Sequence, residues 1–377
     1  MKRIAYLRCT SIINDSRALK EITSLKKENE VIIFGWNRDD FVKTLPEQVV
    51  ENTYYFKMKS RHGTGMKGLP HLIFFQIWLF FMLLSKKKHY EYIYACDFDT
   101  VIPARFIKKI FKKKLIYDLF DYYIDSHFTP KALEKFIEKR EIKAINSADA
   151  VIICSENRKK QISKATPKKL LVIHNTPDID SSDINKDESI LENESGVVSS
   201  SNGRFKIAFA GTLVVGRMLM EILSIVAESN DLELHIGGFG SLSDQIKDFA
   251  NNYENITFYG QMTYGQVLEL EQTCDLLFAV YTPLYANHKY SAPNKLYEAM
   301  ALGKPIIVCK NTGIDEFVDE FGIGISIEYE KEALKDAIYS IKNSESFRIE
   351  CEKKGKELYK NRFRWEIMEE QLLSLFR

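Results

Sequence analysis

Residues 287–308 read NHKYSAPNKLYEAMALGKPIIV. Ser291, Ala292, Pro293 and Asn294 form a turn ahead of a helix expected from about Lys295 to Leu302, with Pro293 near its first turn, where a missing N–H costs nothing. Gly303-Lys304-Pro305 stops that helix, and the apolar run Ile306–Val308 reads as a buried strand. Free backbone N–H groups at the helix start would face an anion. One turn in, the Glu298 carboxylate can accept two hydrogen bonds from a ribose diol.

The same alternation extends in both directions. Upstream, Ile207–Ala210, Leu232–Ile236, Ile256–Phe258 and Leu276–Val280 read as strands, and downstream Ile323–Ile327 does. Nearer the N-terminus, Ile4–Leu7, Val31–Phe34, Tyr92–Ala95, Leu115–Tyr117, Val151–Cys154 and Leu171–Ile173 repeat the pattern. Amphipathic helices fill the gaps. The first carries Ala18, Ile22 and Leu25 on one face, with Asn14, Asp15 and Ser16 available as caps. Such alternation predicts α/β architecture: two Rossmann-like, doubly wound parallel-sheet domains, with ligands bound at the carboxyl ends of the strands in a cleft between facing halves. Between Asp178 and Gly203 the sequence turns to Ser, Asn, Asp and Glu, the composition of a linker. The expected organisation is therefore a first domain over 1–180, a linker over 181–203, a second domain over 204–361, and a terminal helix over 362–377 crossing back to the first domain. Phe363, Ile367, Gln371 and Leu375 would form one face of that helix, with Leu372 and Phe376 beside it.

The 377 residues include 53 Lys+Arg against 52 Asp+Glu, a balance that argues against a nucleic-acid-coating protein. The six cysteines stand singly, without metal-ligand spacing, and read as reduced thiols. None of the seven histidines is paired at metal spacing, and only His288 lies beside a predicted site. The start of the chain lacks a signal-peptide apolar region, so a cytoplasmic location is expected. Leu72–Leu84 (LIFFQIWLFFMLL) is shorter than the ~20 residues a spanning helix needs. It reads either as a core helix or, with Arg61, His62 and Lys67 before it and Lys86-Lys87-Lys88 after it, as a helix lying peripherally on the inner face of the plasma membrane.

A nicotinamide-binding Rossmann enzyme would carry a glycine-rich loop after its first strand, whereas this loop is RCTSIINDSR. The chain instead resembles the retaining nucleotide-sugar glycosyltransferases of glycosyltransferase family 4, which have the GT-B fold. Beyond PNKLYEAMALGKPIIV, the resemblance rests on NDSRALKEITSL, KLIYDLFDYY, INSADAVIICSE, VIHNTPD, KIAFAGTL, LELHIGGFG, ITFYGQM and TCDLLFAVYTP, and covers nearly the whole chain. It implies a UDP- or GDP-linked sugar donor held by the second domain, an acceptor held by the first, and no metal or other cofactor. By the resemblance, Gly260-Gln261-Met262 holds the base and Glu298 the ribose, while Arg217 and helix-start amides hold the diphosphate.

Departures from the family pattern sharpen the reading. Tyr290 stands eight residues before Glu298, where the family has a second glutamate, and Phe120 stands where a histidine faces the donor sugar. Gly211-Thr212 replaces a second diphosphate cation, a role for which Lys295 is the candidate. Gly238, in Gly237-Gly238-Phe239-Gly240, reads either as a phosphate approach or as a tight strand-to-helix turn. Asp97-Phe98-Asp99 has the spacing of a metal-binding D-x-D pair but follows a first-domain strand, where strand-end capping is the simpler reading.

The resulting assignment places Arg217, Lys295 and Asp121 at the reacting centre and Gly211, Thr212, Gly238, Gly260, Gln261, Met262, Tyr290, Ser291, Ala292, Pro293, Asn294 and Glu298 around the donor. Asn14, Asp15, Arg17 and Tyr122 would face the acceptor. The expected activity is sugar transfer to a glycan or polyprenyl-diphosphate-linked glycan in bacterial surface polysaccharide assembly. The rivals are a nucleotide-sugar epimerase on the same fold and a non-catalytic nucleotide-sugar-binding partner of another transferase.

Overall fold

The structure, a computed structural model, describes residues 1–12, 15–38, 52–60, 68–127, 129–179 and 203–377. These fall into two compact units: Met1–His174 with Glu366–Arg377, and Asn175–Trp365. The chain thus changes unit at His174 rather than after residue 180. Residues beyond His174 side with the second unit because Asn175 Nδ2 bonds Asn294 and the Pro177 carbonyl accepts from Tyr359 Oη at 2.9 Å. Apart from Gly203, the expected linker lies outside the described residues, as does Asn14.

The first unit holds a seven-stranded sheet of order β3-β2-β1-β4-β5-β6-β7, built from β1 (Arg3–Leu7), β2 (Glu30–Asn37), β3 (Thr53–Lys57), β4 (Tyr92–Cys96), β5 (Lys114–Leu119), β6 (Ala150–Ile153) and β7 (Leu170–Val172). A six-stranded sheet of order β10-β9-β8-β11-β12-β13 forms the second unit, from β8 (Phe205–Thr212), β9 (Leu232–Phe239), β10 (Ile256–Gly260), β11 (Leu276–Ala279), β12 (Ile306–Cys309) and β13 (Gly324–Ile327). Each described pairing is parallel. Parallel strands are covered on both faces, which is why β6, β11 and β12 are buried at every residue and read as unbroken apolar runs. Strand order reverses at β1/β4 and at β8/β11, the two places where such sheets open a crevice at their carboxyl ends.

The terminal helix, Trp365–Leu373, belongs mainly to the first unit, tied there by Lys27–Glu369 (2.7 Å), Arg377–Glu28 (2.8 Å) and ring contact between Tyr92 and Phe376. Trp365, Met368, Leu372, Leu373 and Phe376 are buried, Leu372 and Phe376 as expected, but of the expected Phe363-Ile367-Gln371-Leu375 face Ile367 and Leu375 are only half-buried and Gln371 is exposed. Tyr359–Phe363 is a π turn and Arg364 is extended, so helical phase counted from Phe363 does not carry through.

Candidate functional site

In the second unit Gly211, Thr212, Gly238, Arg217 and Lys295 meet where β8 ends. Gly211 and Thr212 still pair with Gly238 and Phe239 of β9. A Cβ on Gly238, whose φ is +134°, would lie 1.7 Å from the Gly211 carbonyl oxygen, and one on Gly240 would lie 2.2 Å from that of Leu213. The glycines of this turn therefore let two strand ends run together, which is the tight-turn reading. At Gly211 itself, a Cβ would meet Lys295 Nζ at 3.6 Å and Arg217 Nη1 at 3.9 Å. Two cations thus converge beside one bare stretch of backbone.

Arg217 is held by its loop. The Gly216 carbonyl, in a residue with φ +90°, accepts from Thr282 N at 2.7 Å, and the Arg217 guanidinium lies 4.9 Å from the Tyr281 ring centroid. Its Nε is buried without a hydrogen-bond partner among the described residues. Next comes Met218, left-handed at φ 50°, and then the helix Leu219–Ala227. Ile222 N bonds back to Met218 O, so the amides of the helix's first turn are left for other partners.

Lys295 opens the helix Asn294–Leu302, whose residues after Asn294 are all buried. Its ammonium donates to the Ala210 carbonyl, lies 5.1 Å from the Phe209 ring centroid, and sits 3.7 Å from Glu271 Oε1. Glu271 is a fully buried residue of the helix Tyr264–Thr273, which a Thr263/Gln266 capping box starts. Burial, then the neighbouring Glu298 charge, push the Glu271 carboxyl well above the usual range, and Lys295 pulls it back. Glu298 follows Lys295 by one turn, is 1% exposed, and lies beside the Tyr264 hydroxyl and the Glu271 carboxyl, while its Oε2 makes no hydrogen bond of normal geometry among the described residues. A buried carboxylate oxygen short of donors is suited to a hydroxyl donor.

Tyr290, which ends a short 3-10 helix over Ala286–Tyr290, and Ser291, Ala292, Pro293 and Asn294, which lead from it into the Asn294–Leu302 helix, are half-buried, with Pro293 as that helix's N-cap. Ser291 Oγ donates to His288 O (3.0 Å), and His288 Nδ1 lies 2.7 Å from Thr282 O, linking this loop to the one carrying Arg217. Gly260 has φ +68° with open space around it. Met262 Sδ sits 2.4 Å from where a Gly237 Cβ would be, so the missing side chain at Gly237 makes room for Met262 beside Gln261.

The first-unit candidates are more heavily engaged. Asp15 caps the helix Ser16–Glu28 by accepting from Ala18 N and pairs with Arg8 at 2.7 Å. Arg17, expected at the acceptor, is 4% exposed and spent on Asp118 (2.9 Å), Glu21 (2.9 Å) and the Ile173 carbonyl. Tyr122, also expected there, is 3% exposed and packs in the core, because the chain turns inward at the end of β5. Asp121 stays accessible and accepts from Arg158 at 2.9 Å. Phe120 lies under two guanidinium groups, Arg8 at 4.1 Å and Arg17 at 4.6 Å. Asp97 Oδ1 accepts from Phe120 N and Asp121 N and its Oδ2 pairs with Arg8, while Asp99 accepts from Cys9 Sγ; the D-x-D pair caps strand ends. Among the described residues, no three His, Cys, Asp or Glu side chains are grouped as metal ligands. A cavity of about 660 Å³ lined by Arg3, Lys26, Asn29 and His89 lies at the amino edge of the first sheet, away from all of these residues.

Sequence reasoning missed Glu271, Tyr281 and Arg158. Glu271 carried a signal: it occupies an apolar-stripe position of its helix, beside Leu270 and one turn after Val267.

Residues 194–358 match the glycosyl transferases group 1 family. No curated protein sequence matches the chain. Among solved structures, the chain is similar to a sucrose-phosphate synthase from Thermosynechococcus elongatus (TM-score 0.76, 13% identity, 100% of this chain and 98% of that one covered). It is also similar to the Anabaena protein Alr3699/HepE in complex with UDP and glucose (TM-score 0.73, 18% identity, 99% of each chain). A third is WaaG, a glycosyltransferase involved in lipopolysaccharide biosynthesis (TM-score 0.66, 12% identity, 98% and 99%). The fold is GT-B, and the family match falls on the unit in which Arg217, Lys295 and Glu298 come together.

Proposed function

We propose that the chain moves a sugar from a nucleoside diphosphate donor to a hydroxyl of a glycan or lipid-linked glycan, with retention and without a metal ion, during surface polysaccharide assembly. The observation that carries this reading is the convergence of Arg217 and Lys295 on Gly211, beside the start of the helix Leu219–Ala227 and one helical turn from the buried Glu298 Oε2. Breaking a sugar–phosphate bond leaves a diphosphate whose charge needs fixed positive partners, and preorganised cations and amides supply them without reorganisation. Glu298 would receive the ribose hydroxyls. The departing phosphate would take the acceptor proton, with Asp121 as the accessible carboxylate of the first unit. The UDP and glucose in the similar Anabaena structure favour a UDP-linked donor.

The test is a nucleotide-release assay with UDP- and GDP-sugars and short glycan or polyprenyl-diphosphate-glycan acceptors, in EDTA, with anomeric configuration read by NMR. Acceptor-dependent release with a retained anomer supports the reading. Conversion of the donor sugar without transfer would favour an epimerase, and donor binding without turnover a non-catalytic partner.

A further inference from the structure

The helix Leu69–Ser85 is apolar on both sides. Its inner face places Phe75, Leu79 and Leu83 in the first unit's core, with Phe75 stacked on Trp36 at 5.1 Å. Its outer face follows the helical period through Leu69, Ile73, Phe74, Ile77 and Phe81, each 42–60% exposed. A helix facing water on that side would carry polar residues there. The neighbouring helix, Phe98–Phe111, packs against it and adds exposed Phe106 and Ile110.

Lysines dominate the charges around these side chains. Lys86, Lys87 and Lys88 follow the first helix, and Lys109, Lys112, Lys113 and Lys114 close the second; residues 68–90 and 100–114 contain no Asp or Glu. Both helices end next to the strand that follows them, so the lysines collect at the amino edge of the sheet, where the carboxylates of Glu91 and Asp149 are paired with Arg3 (3.3 Å) and Lys108 (2.6 Å). Lys113 Nζ bonds the Lys87 carbonyl there at 2.7 Å, and Lys87 Nζ lies over the Phe111 ring. Lys88, Lys109, Lys112 and Lys114 are exposed.

We infer that this face docks on an anionic lipid bilayer, with Ile73, Phe74, Ile77, Phe81, Phe106 and Ile110 in the acyl boundary and the lysines at lipid phosphates. A protein partner for the apolar stripe would not need a margin this rich in lysine, whereas an anionic membrane matches both the stripe and the lysines. The helix lies on the membrane rather than through it: its other side is in the protein core, and no helix of the described residues is long and apolar enough to cross. The inference stands on the first unit and does not depend on the donor site.

Flotation of the full chain with phosphatidylglycerol/phosphatidylethanolamine vesicles tests it, with phosphatidylcholine vesicles as the neutral comparison. Binding is expected to the anionic vesicles, weakening at about 0.5 M salt. Phe74→Gln with Phe81→Gln should reduce it at least about ten-fold, and Lys88→Gln, Lys109→Gln and Lys114→Gln about five-fold each. Ile349→Gln, at an exposed apolar residue of the second unit, should leave it unchanged. Circular dichroism checks folding, and Ile73→Gln with Ile77→Gln gives a second reading of the same face. Failure of the wild-type chain to float at low salt overturns the inference. So does self-association abolished by the Phe74/Phe81 substitutions without vesicle binding, which would make the face a contact between copies.

Discussion

Replacing Arg217 by alanine separates donor recognition from folding. The guanidinium stacks on Tyr281, leaves Nε without a partner among the described residues, and places Nη1 3.9 Å from the Gly211 Cβ position. In folding terms Arg217→Ala loses one partly buried cation–π contact, about 1 kcal/mol, and relieves the orphaned Nε, so the melting temperature should fall by only a few degrees. Towards a diphosphate it loses one to two charge-assisted hydrogen bonds, worth about 1.5–3 kcal/mol together when the second is water-shared. That corresponds to about 10- to 150-fold in Kd. Isothermal titration with UDP and GDP in EDTA reads this directly, and Arg217→Lys should recover part of the loss because it keeps the charge but not the planar fork. Nucleotide affinity unchanged in a folded Arg217→Ala protein would refute the role given to this residue.

Three further outcomes follow from the geometry. Burial raises the Glu141 carboxyl to about 8, despite bonds from Tyr123 N and Tyr117 Oη, so the folded state holds a proton that the unfolded state has released between pH 4.5 and 8. The protonated group's contribution is fully present below the unfolded pKa and is lost as pH rises through about 8, at most about 5 kcal/mol; in thermal unfolding, Glu141→Gln should stabilise the chain relative to wild type at pH 8 and not at pH 4.5. Asp97→Ala removes the cap on Phe120 N and Asp121 N together with the Arg8 pair, and urea titration should show a loss of about 3 kcal/mol, with Asp97→Asn losing less because it still accepts. Gly238→Ala forces a Cβ into the Gly211 carbonyl at a φ of +134°, so expression and urea unfolding should show a loss of at least about 3 kcal/mol.

The strands were legible because parallel strands are buried on both faces and leave apolar runs such as Ala150–Ile153 and Ile306–Cys309. Thr53–Lys57 escaped notice because it is an edge strand, with four half-buried residues and an exposed lysine giving neither a continuous run nor a clean alternation. Local spacing correctly placed the helix behind Ser291–Asn294, but only folding shows that Lys295 turns inward to the Ala210 carbonyl and shares its surroundings with Glu271. Arg17 and Tyr122 illustrate the opposite limit. Polar residues on loops after strands suggest a site, yet whether a guanidinium faces a ligand or is consumed by Asp118 depends on neighbours more than 100 positions away. The phase of the terminal helix was lost for a local reason, the break at Arg364.

The most direct test of the central claim is calorimetric titration of the wild-type chain with UDP, GDP and their sugar conjugates in EDTA, repeated with Glu298→Gln. The account predicts that one nucleotide binds without metal and that Glu298→Gln weakens it by about ten-fold, the loss of a charged acceptor for a ribose hydroxyl. No nucleotide binding by the folded wild-type chain would contradict it.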